Sequence, residues 1–150
     1  MAVRQILAMF FGLILTGALL APAAHADQWN EMTKLTFNQP VTVPRMTLPE
    51  GTYWFVLNGG SDRNVVDIYS ADWSHFYEAI DTIPVIRQHS TSRTEVTFAE
   101  RPSTQPEAML DWYYPGRTTG HEFLYKTPLE HQLARDQKQT VVIPPLNTRS

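Results

Sequence analysis

The chain has 150 residues, with 12 basic and 15 acidic side chains, a net charge of −3 and no cysteine. Interspersed charges of that size offer no basic face to a nucleic acid. The absence of Cys excludes disulfides, thiol nucleophiles and thiolate metal sites, and a single domain of this length can bury an adequate core without staples.

The first 26 residues carry one charge, Arg4, followed by an uncharged run from Ile6 to Ala21, then Pro22 and the small-x-small tripeptide Ala24-His25-Ala26. This is the layout of a secretory signal peptide cleaved after Ala26. The run is shorter than the roughly 20 residues of a membrane-spanning helix, and no basic stop-transfer cluster follows it. Without a cysteine a lipoprotein is excluded, and a lone Arg4 does not make a twin-arginine signal. The mature chain is expected to begin at Asp27. Losing Arg4 takes its net charge from −3 to −4.

Met32 to Asn38 alternates, with Leu35 and Phe37 apolar between polar Lys34 and Thr36, which predicts a half-buried strand. Val41-Thr42-Val43 lies between Pro40 and Pro44 and reads as an edge strand, since proline removes ladder donors. Met46 to Leu48 continues it after a bend. Pro49-Glu50-Gly51 is a tight turn that releases Thr52-Tyr53-Trp54-Phe55-Val56-Leu57, a run suited to a pleated sheet. It is apolar on both faces, so it is predicted to be a central strand covered twice. Trp54 is expected in the core.

Asn58 to Asp62 reads as a flexible loop, Val65 to Ser70 as a strand with Val66 and Ile68 inward, and Ser70 to Ser74 as a turn. Phe76 to Ile83 is the next strand, with Val85-Ile86 extending it beyond Pro84. Thr94 to Ala99 alternates, placing Val96 and Phe98 inward. Ala108 to Tyr114 predicts a strand with Leu110, Trp112 and Tyr114 on one face and Met109, Asp111 and Tyr113 on the other. Pro115 to Gly120 is a hairpin loop leading to a last strand, His121 to Tyr125. Thr127-Pro128-Leu129-Glu130 then reads as a capping box opening a short helix to about Gln137. Val141-Val142-Ile143 is an apolar tail, expected to lie against its own domain. The reading is therefore all-β: an antiparallel sandwich of about seven to eight short strands over residues 27–126, with a C-terminal helix and tail over 127–150.

Several phrases, taken in order, resemble one family. They are Asp27-Gln28-Trp29-Asn30, Phe37-Asn38-Gln39-Pro40-Val41, Leu48-Pro49-Glu50-Gly51-Thr52-Tyr53, Ser61-Asp62-Arg63-Asn64-Val65-Val66, Val96-Thr97-Phe98-Ala99-Glu100-Arg101 and Trp112-Tyr113-Tyr114-Pro115-Gly116 with Gly120-His121-Glu122-Phe123. Together they look like an uncharacterised family of small exported proteins common in acidobacterial genomes. The resemblance spans nearly the whole mature chain. It implies export and an all-β domain with a short C-terminal helix, and no activity, cofactor or catalytic residue. Where the family often has Gly, this chain has Arg45; where it often has Asp-Gly, this chain has Asp72-Trp73. A bulky residue at φ > 0 costs about 1 kcal/mol, so Trp73 is either a strained turn residue or a side chain placed outward at a loop tip.

No motif carries a reaction. His75, His89, His121 and His131 lack ligand spacing, and His121-Glu122 is not followed by the second His of a zinc-protease helix. Ser61, Ser74 and Ser103 lack a nucleophile-elbow frame. Asp67, Glu78, Asp81, Glu95, Glu100, Asp111 and Glu122 fall on or beside strands, where a facing pair could do acid/base work on a glycoside. Cross-strand pairing with arginines explains them as well. Exposed aromatic rings suit sugar or peptide contact. The candidate ligand-binding residues are Trp73, Tyr113, Tyr114, Arg117 and His121, with no metal and no cofactor expected. The expectation is a non-catalytic binding or structural protein of the cell envelope, periplasmic or secreted, whose partner is an envelope protein or a glycan. Self-association through an open sheet edge is a further possibility. The alternative is a small envelope hydrolase using strand-borne carboxylates or His121.

Overall fold

The computed structural model describes residues 31–58 and 64–143. The expected signal peptide, the phrase Asp27 to Asn30, most of the glycine loop after Asn58 and Pro144-Pro145 lie outside the described residues. The strands are β1 (Met32–Phe37), β2 (Val41–Val43), β3 (Met46–Leu48), β4 (Gly51–Leu57), β5 (Val65–Ser70), β6 (Phe76–Ile86), β7 (Thr94–Ala99), β8 (Glu107–Tyr113), β9 (Thr119–Phe123) and β10 (Lys138–Ile143). One helix, α1 (Thr127–Leu133), precedes β10. The all-β reading with a single short C-terminal helix holds. Among the described residues the count and the pairing differ from expectation: ten strands rather than seven or eight, and one parallel pair, β2 with β8, among antiparallel ones.

All ten strands belong to one hydrogen-bonded network because β6 serves two neighbourhoods. Its first half pairs with β5 through Val65↔Asp81 and Val66↔Ile80. Its second half pairs with β9 through Thr82↔Phe123 to Ile86↔Thr119. Pro84 is tolerated inside the strand because this half has β9 as its one ladder neighbour, so a missing donor on the other side breaks no ladder bond. On one side of β6 the order is β5-β4-β1; on the other it is β9-β8, and from β8 the network branches to β7-β10 and to the hairpin β2-β3. The short β9 covers only residues 111 and 112 of β8, and β2 takes up the same edge at residues 107 and 108. The Tyr125 hydroxyl lies 2.7 Å from the Met109 carbonyl and 3.0 Å from the Thr42 carbonyl, tying the hairpin to β8.

One core collects side chains from both groups of strands. Leu35, Phe55, Val66, Ile68 and Ile80 meet Val96, Phe98, Met109, Trp112 and Phe123. Phe55 and Phe123 pack edge-on at 6.4 Å, as do Phe37 and Phe98 at 6.3 Å, geometry that the ring quadrupole favours. The fully buried Trp112 donates from Nε1 to Thr33 Oγ1 at 3.1 Å, and Thr33 in turn meets the Thr94 hydroxyl at 3.3 Å. A buried indole N–H needs such a partner.

Three local expectations are corrected. The alternation read for β8 breaks at Leu110, because a register shift between Thr97 and Phe98 leaves Leu110 unopposed. A bulge of this kind moves the following side chains to the other face, so Met109 joins Trp112 in the core while Leu110 turns to the small cluster under Leu133. The capping box does not form: Lys126 is the N-cap and makes no side-chain cap bond. The Lys126 carbonyl accepts the first helical bonds from Leu129 and Glu130, which places Thr127 one position inside. The Glu130 carboxylate does reach back, to the Tyr125 N–H at 3.2 Å. The helix ends at Leu133 rather than near Gln137, and the apolar tail is strand β10, paired with β7 from Lys138↔Ala99 to Ile143↔Thr94.

Candidate functional site

The alternation of β4 buries Tyr53, Phe55 and Leu57 and leaves Trp54 and Val56 half-buried on the opposite face. Trp54 is therefore not a core residue. The double apolarity of β4 arises because its outer face is covered by other rings. Register brings four side chains into one row across that face: Lys34↔Trp54, Trp54↔Tyr69 and Tyr69↔Phe76. Lys34 Nζ lies 5.4 Å from the Trp54 ring centroid, within cation–π range. Tyr69 and Phe76 meet at 5.3 Å.

Trp73 reaches this row from the β5–β6 turn. Its indole stacks on Trp54 at 5.2 Å with 21° between the planes, and it touches Tyr69 at 5.3 Å. The turn that holds it is tightly tied. Trp73 N–H donates to the Ser70 carbonyl at 3.0 Å. Asp72 Oδ1 accepts from Ser70 Oγ at 2.6 Å, Ser74 Oγ at 2.7 Å and Ser74 N–H at 3.1 Å. These donors hold the Asp72 carboxyl well below the usual carboxylate range. Trp73 has φ 63° and Arg45 has φ 72°. Trp73 remains 47% exposed and Phe76 50% exposed. Trp54 Nε1 donates to the Ala71 carbonyl at 3.1 Å, which fixes its ring under the patch.

The other sequence candidates lie together at the β8–β9 hairpin, on a different part of the sheet network. Pro115 and Gly116, the latter at φ 76°, occupy the central positions of a turn closed by Arg117 N–H to the Tyr114 carbonyl, the residue types such a turn requires. Tyr113 is buried. Its ring lies against Gly120, and the Arg87 guanidinium sits 4.6 Å above it. Arg87 also donates to Glu95 Oε2 at 2.6 Å and, twice, to the Arg117 carbonyl at 2.9 and 3.2 Å. Tyr113 is thus occupied in pinning the hairpin, and Tyr114 is half-buried against the core. Arg117 and His121 do converge, on a cleft of about 450 Å3 also lined by Glu31, Leu57, Asn64, Pro84 and Thr119. Arg117 Nε is 2.9 Å from Glu31 Oε1, and His121 Nε2 is 3.8 Å from Glu31 Oε2. Sequence reading missed Glu31, since a single carboxylate ahead of β1 gives no pattern; only the Leu57 N–H bond to its carbonyl, at 2.8 Å, places it there.

Of the strand carboxylates, Asp111 and Glu122 are cross-strand partners. They line a cavity of about 190 Å3 beneath α1. Burial, and after it the Glu122 charge, push the Asp111 carboxyl up to about 6. An acid raised in the folded state binds more protons there than in the unfolded chain between pH 4 and 6, so stability falls as pH rises through that window. The site is partly solvated, which reduces the effect to about 1 kcal/mol. Asp111→Asn is expected to add about 1 kcal/mol at pH 7 and to flatten the decline between pH 4 and 6, read by urea denaturation across pH.

Among the described residues no cluster of three or more His, Asp or Glu side chains could hold a metal ion, and no helix is long and apolar enough to cross a membrane. Comparison with known proteins finds no matching family model, curated protein or solved structure.

Proposed function

We propose that this chain is an exported, non-catalytic binding protein of the cell envelope, and that the Trp54–Trp73–Tyr69–Phe76 face is its contact surface for a glycan. The observation that carries the reading is Trp73. A non-glycine residue at φ 63° costs about 1 kcal/mol, and glycine there would remove that strain. The chain instead keeps a large ring in the strained position and leaves nearly half of it in solvent. Strain retained at an exposed aromatic ring supports a functional reading of this position. Flat rings with fixed orientation stack on the apolar faces of sugars, and little side-chain freedom is lost on binding. Export is supported by the charge, apolar run and small-x-small end of residues 1–26 and by the family resemblance. N-terminal sequencing of protein recovered from the envelope fraction is expected to begin at Asp27.

Co-sedimentation with peptidoglycan and with neutral polysaccharides, read beside indole fluorescence, tests the contact surface. Trp73→Gly is expected to lose at least about tenfold in affinity, about 1.4 kcal/mol. It is also expected to melt somewhat lower, because the stacking lost on Trp54 and Tyr69 outweighs the strain relieved; Phe76→Ala therefore serves as the second variant. Retention of wild-type affinity by both Trp73→Gly and Phe76→Ala would remove this face from consideration.

One observation favours a second reading, a small envelope hydrolase using strand-borne carboxylates: the raised Asp111 beside Glu122 at a cavity. Glycan hydrolysis that disappears in Asp111→Asn while binding persists would select it.

A further inference from the structure

In the hairpin cleft the His121 imidazole and the Glu31 carboxylate face each other without meeting in a hydrogen bond. Thr82 Oγ1 donates to the Asn64 carbonyl at 2.8 Å. Its proton is then used, so it accepts from His121 Nδ1–H at 3.2 Å. With Nδ1 engaged in that bond, Nε2 is the ring nitrogen left to face the cleft. Nε2 looks across 3.8 Å at Glu31 Oε2, longer than a hydrogen bond. Both residues are buried for most of their surface and stand on the wall of the cleft, so a ligand entering it can reach both atoms. A ligand group with several N–H donors placed beside the gap can bond the Glu31 carboxylate and contact the imidazole together.

The third member is Arg117. Its Nε is engaged by Glu31 Oε1 at 2.9 Å. Among the described residues its two Nη groups make no hydrogen bond, and its side chain borders the cleft. Its backbone is held by Arg87, so the guanidinium is presented from a fixed loop. Leu57 and Pro84 supply an apolar wall.

We infer that this cleft binds a free α-amino acid with an apolar side chain, its ammonium between Glu31 and His121, its carboxylate on the Arg117 fork and its side chain against Leu57 and Pro84. Charge balance selects the class. Glu31 and Arg117 cancel, so a ligand carrying only a positive or only a negative charge leaves one of them opposed or unmatched. A neutral ligand with separated charges meets both. The cleft volume falls in the usual range for small-molecule sites. This site is separate from the aromatic face and does not depend on the glycan reading.

The test is calorimetric titration of the intact protein with leucine, 3-methylbutylamine and 4-methylpentanoate, which share an apolar chain and differ in charge. Leucine is expected to bind at least tenfold more tightly than either monovalent probe. Glu31→Gln and Arg117→Met are each expected to weaken leucine binding at least tenfold, whereas Trp73→Gly leaves it unchanged. Thermal melts of the cleft variants separate loss of the site from loss of the fold, and the His121 Nε2 resonance reports the same contact without mutation: it is expected to shift on leucine addition. No saturable heat with leucine at about 10 mM, or equal binding of the amine, would overturn the assignment.

Discussion

Trp112→Ala is expected to destabilise the protein by about 3–5 kcal/mol, the range for truncating a large aromatic in a closed core. Trp112 is fully buried and is the largest side chain so enclosed. It touches the packing of both strand groups and carries the hydrogen bond to Thr33 that joins them. For a domain whose whole stability is about 5–15 kcal/mol, the loss removes a large fraction. Denaturant midpoints at constant slope provide the measurement. Trp112→Phe keeps most of the volume and is expected to cost less, and Thr33→Val, which orphans the indole N–H, about 1–3 kcal/mol. A double-mutant cycle between positions 33 and 112 then isolates the bond; a coupling of zero would show that the indole proton is satisfied elsewhere.

The second large effect is expected at Gly120. A Cβ there would lie 2.4 Å from Tyr113 Cδ1 and 2.8 Å from the Trp112 carbonyl oxygen. The ring cannot simply swing away, because Arg87 covers it, and the carbonyl belongs to the ladder between β8 and β9. Overpacking of this kind costs about 1–3 kcal/mol or more, so Gly120→Ala is expected near the upper end, with a fall in melting temperature of several degrees. Combining it with Tyr113→Ala removes the ring contact and leaves the carbonyl contact. The pair is therefore expected to be less destabilised than the sum of the single variants, by about 1 kcal/mol. Strict additivity would place the clash on the carbonyl alone.

Much of the fold can be read from local pattern. The alternation in Met32–Phe37, Val65–Ser70 and Thr94–Ala99 gives three strands correctly, since a half-buried strand writes its period into the sequence. Trp112 in the core and the turn at Pro115-Gly116 follow from the same kind of evidence. The failures occur where one residue changes the count. The unopposed Leu110 switches the face of everything after it in β8, and no propensity marks a bulge at a leucine. Trp54 reads as core because an apolar residue on a central strand normally is; only the stacking of a distant turn residue, Trp73, explains its outward position. The parallel contact of β2 with β8 joins Thr42 to Ala108, residues far apart in sequence, and such pairing leaves no local trace. Of the candidate site, Trp73 and Arg117 are legible as unusual side chains at turns, and His121 as an imidazole on the strand that follows the hairpin loop. Glu31, Arg87 and Thr82 enter only through tertiary geometry, although each fixes the orientation of a residue that was named.

The double membership of β6 has a consequence for how this chain can be divided. A cut between Asp81 and Thr82 would leave the β5 ladder whole in one piece and the β9 ladder whole in the other, yet it would split a single hydrophobic core, since Phe55, Ile68 and Ile80 pack with Met109, Trp112 and Phe123. Neither piece is therefore expected to fold alone, because each would expose the apolar faces that the other covers.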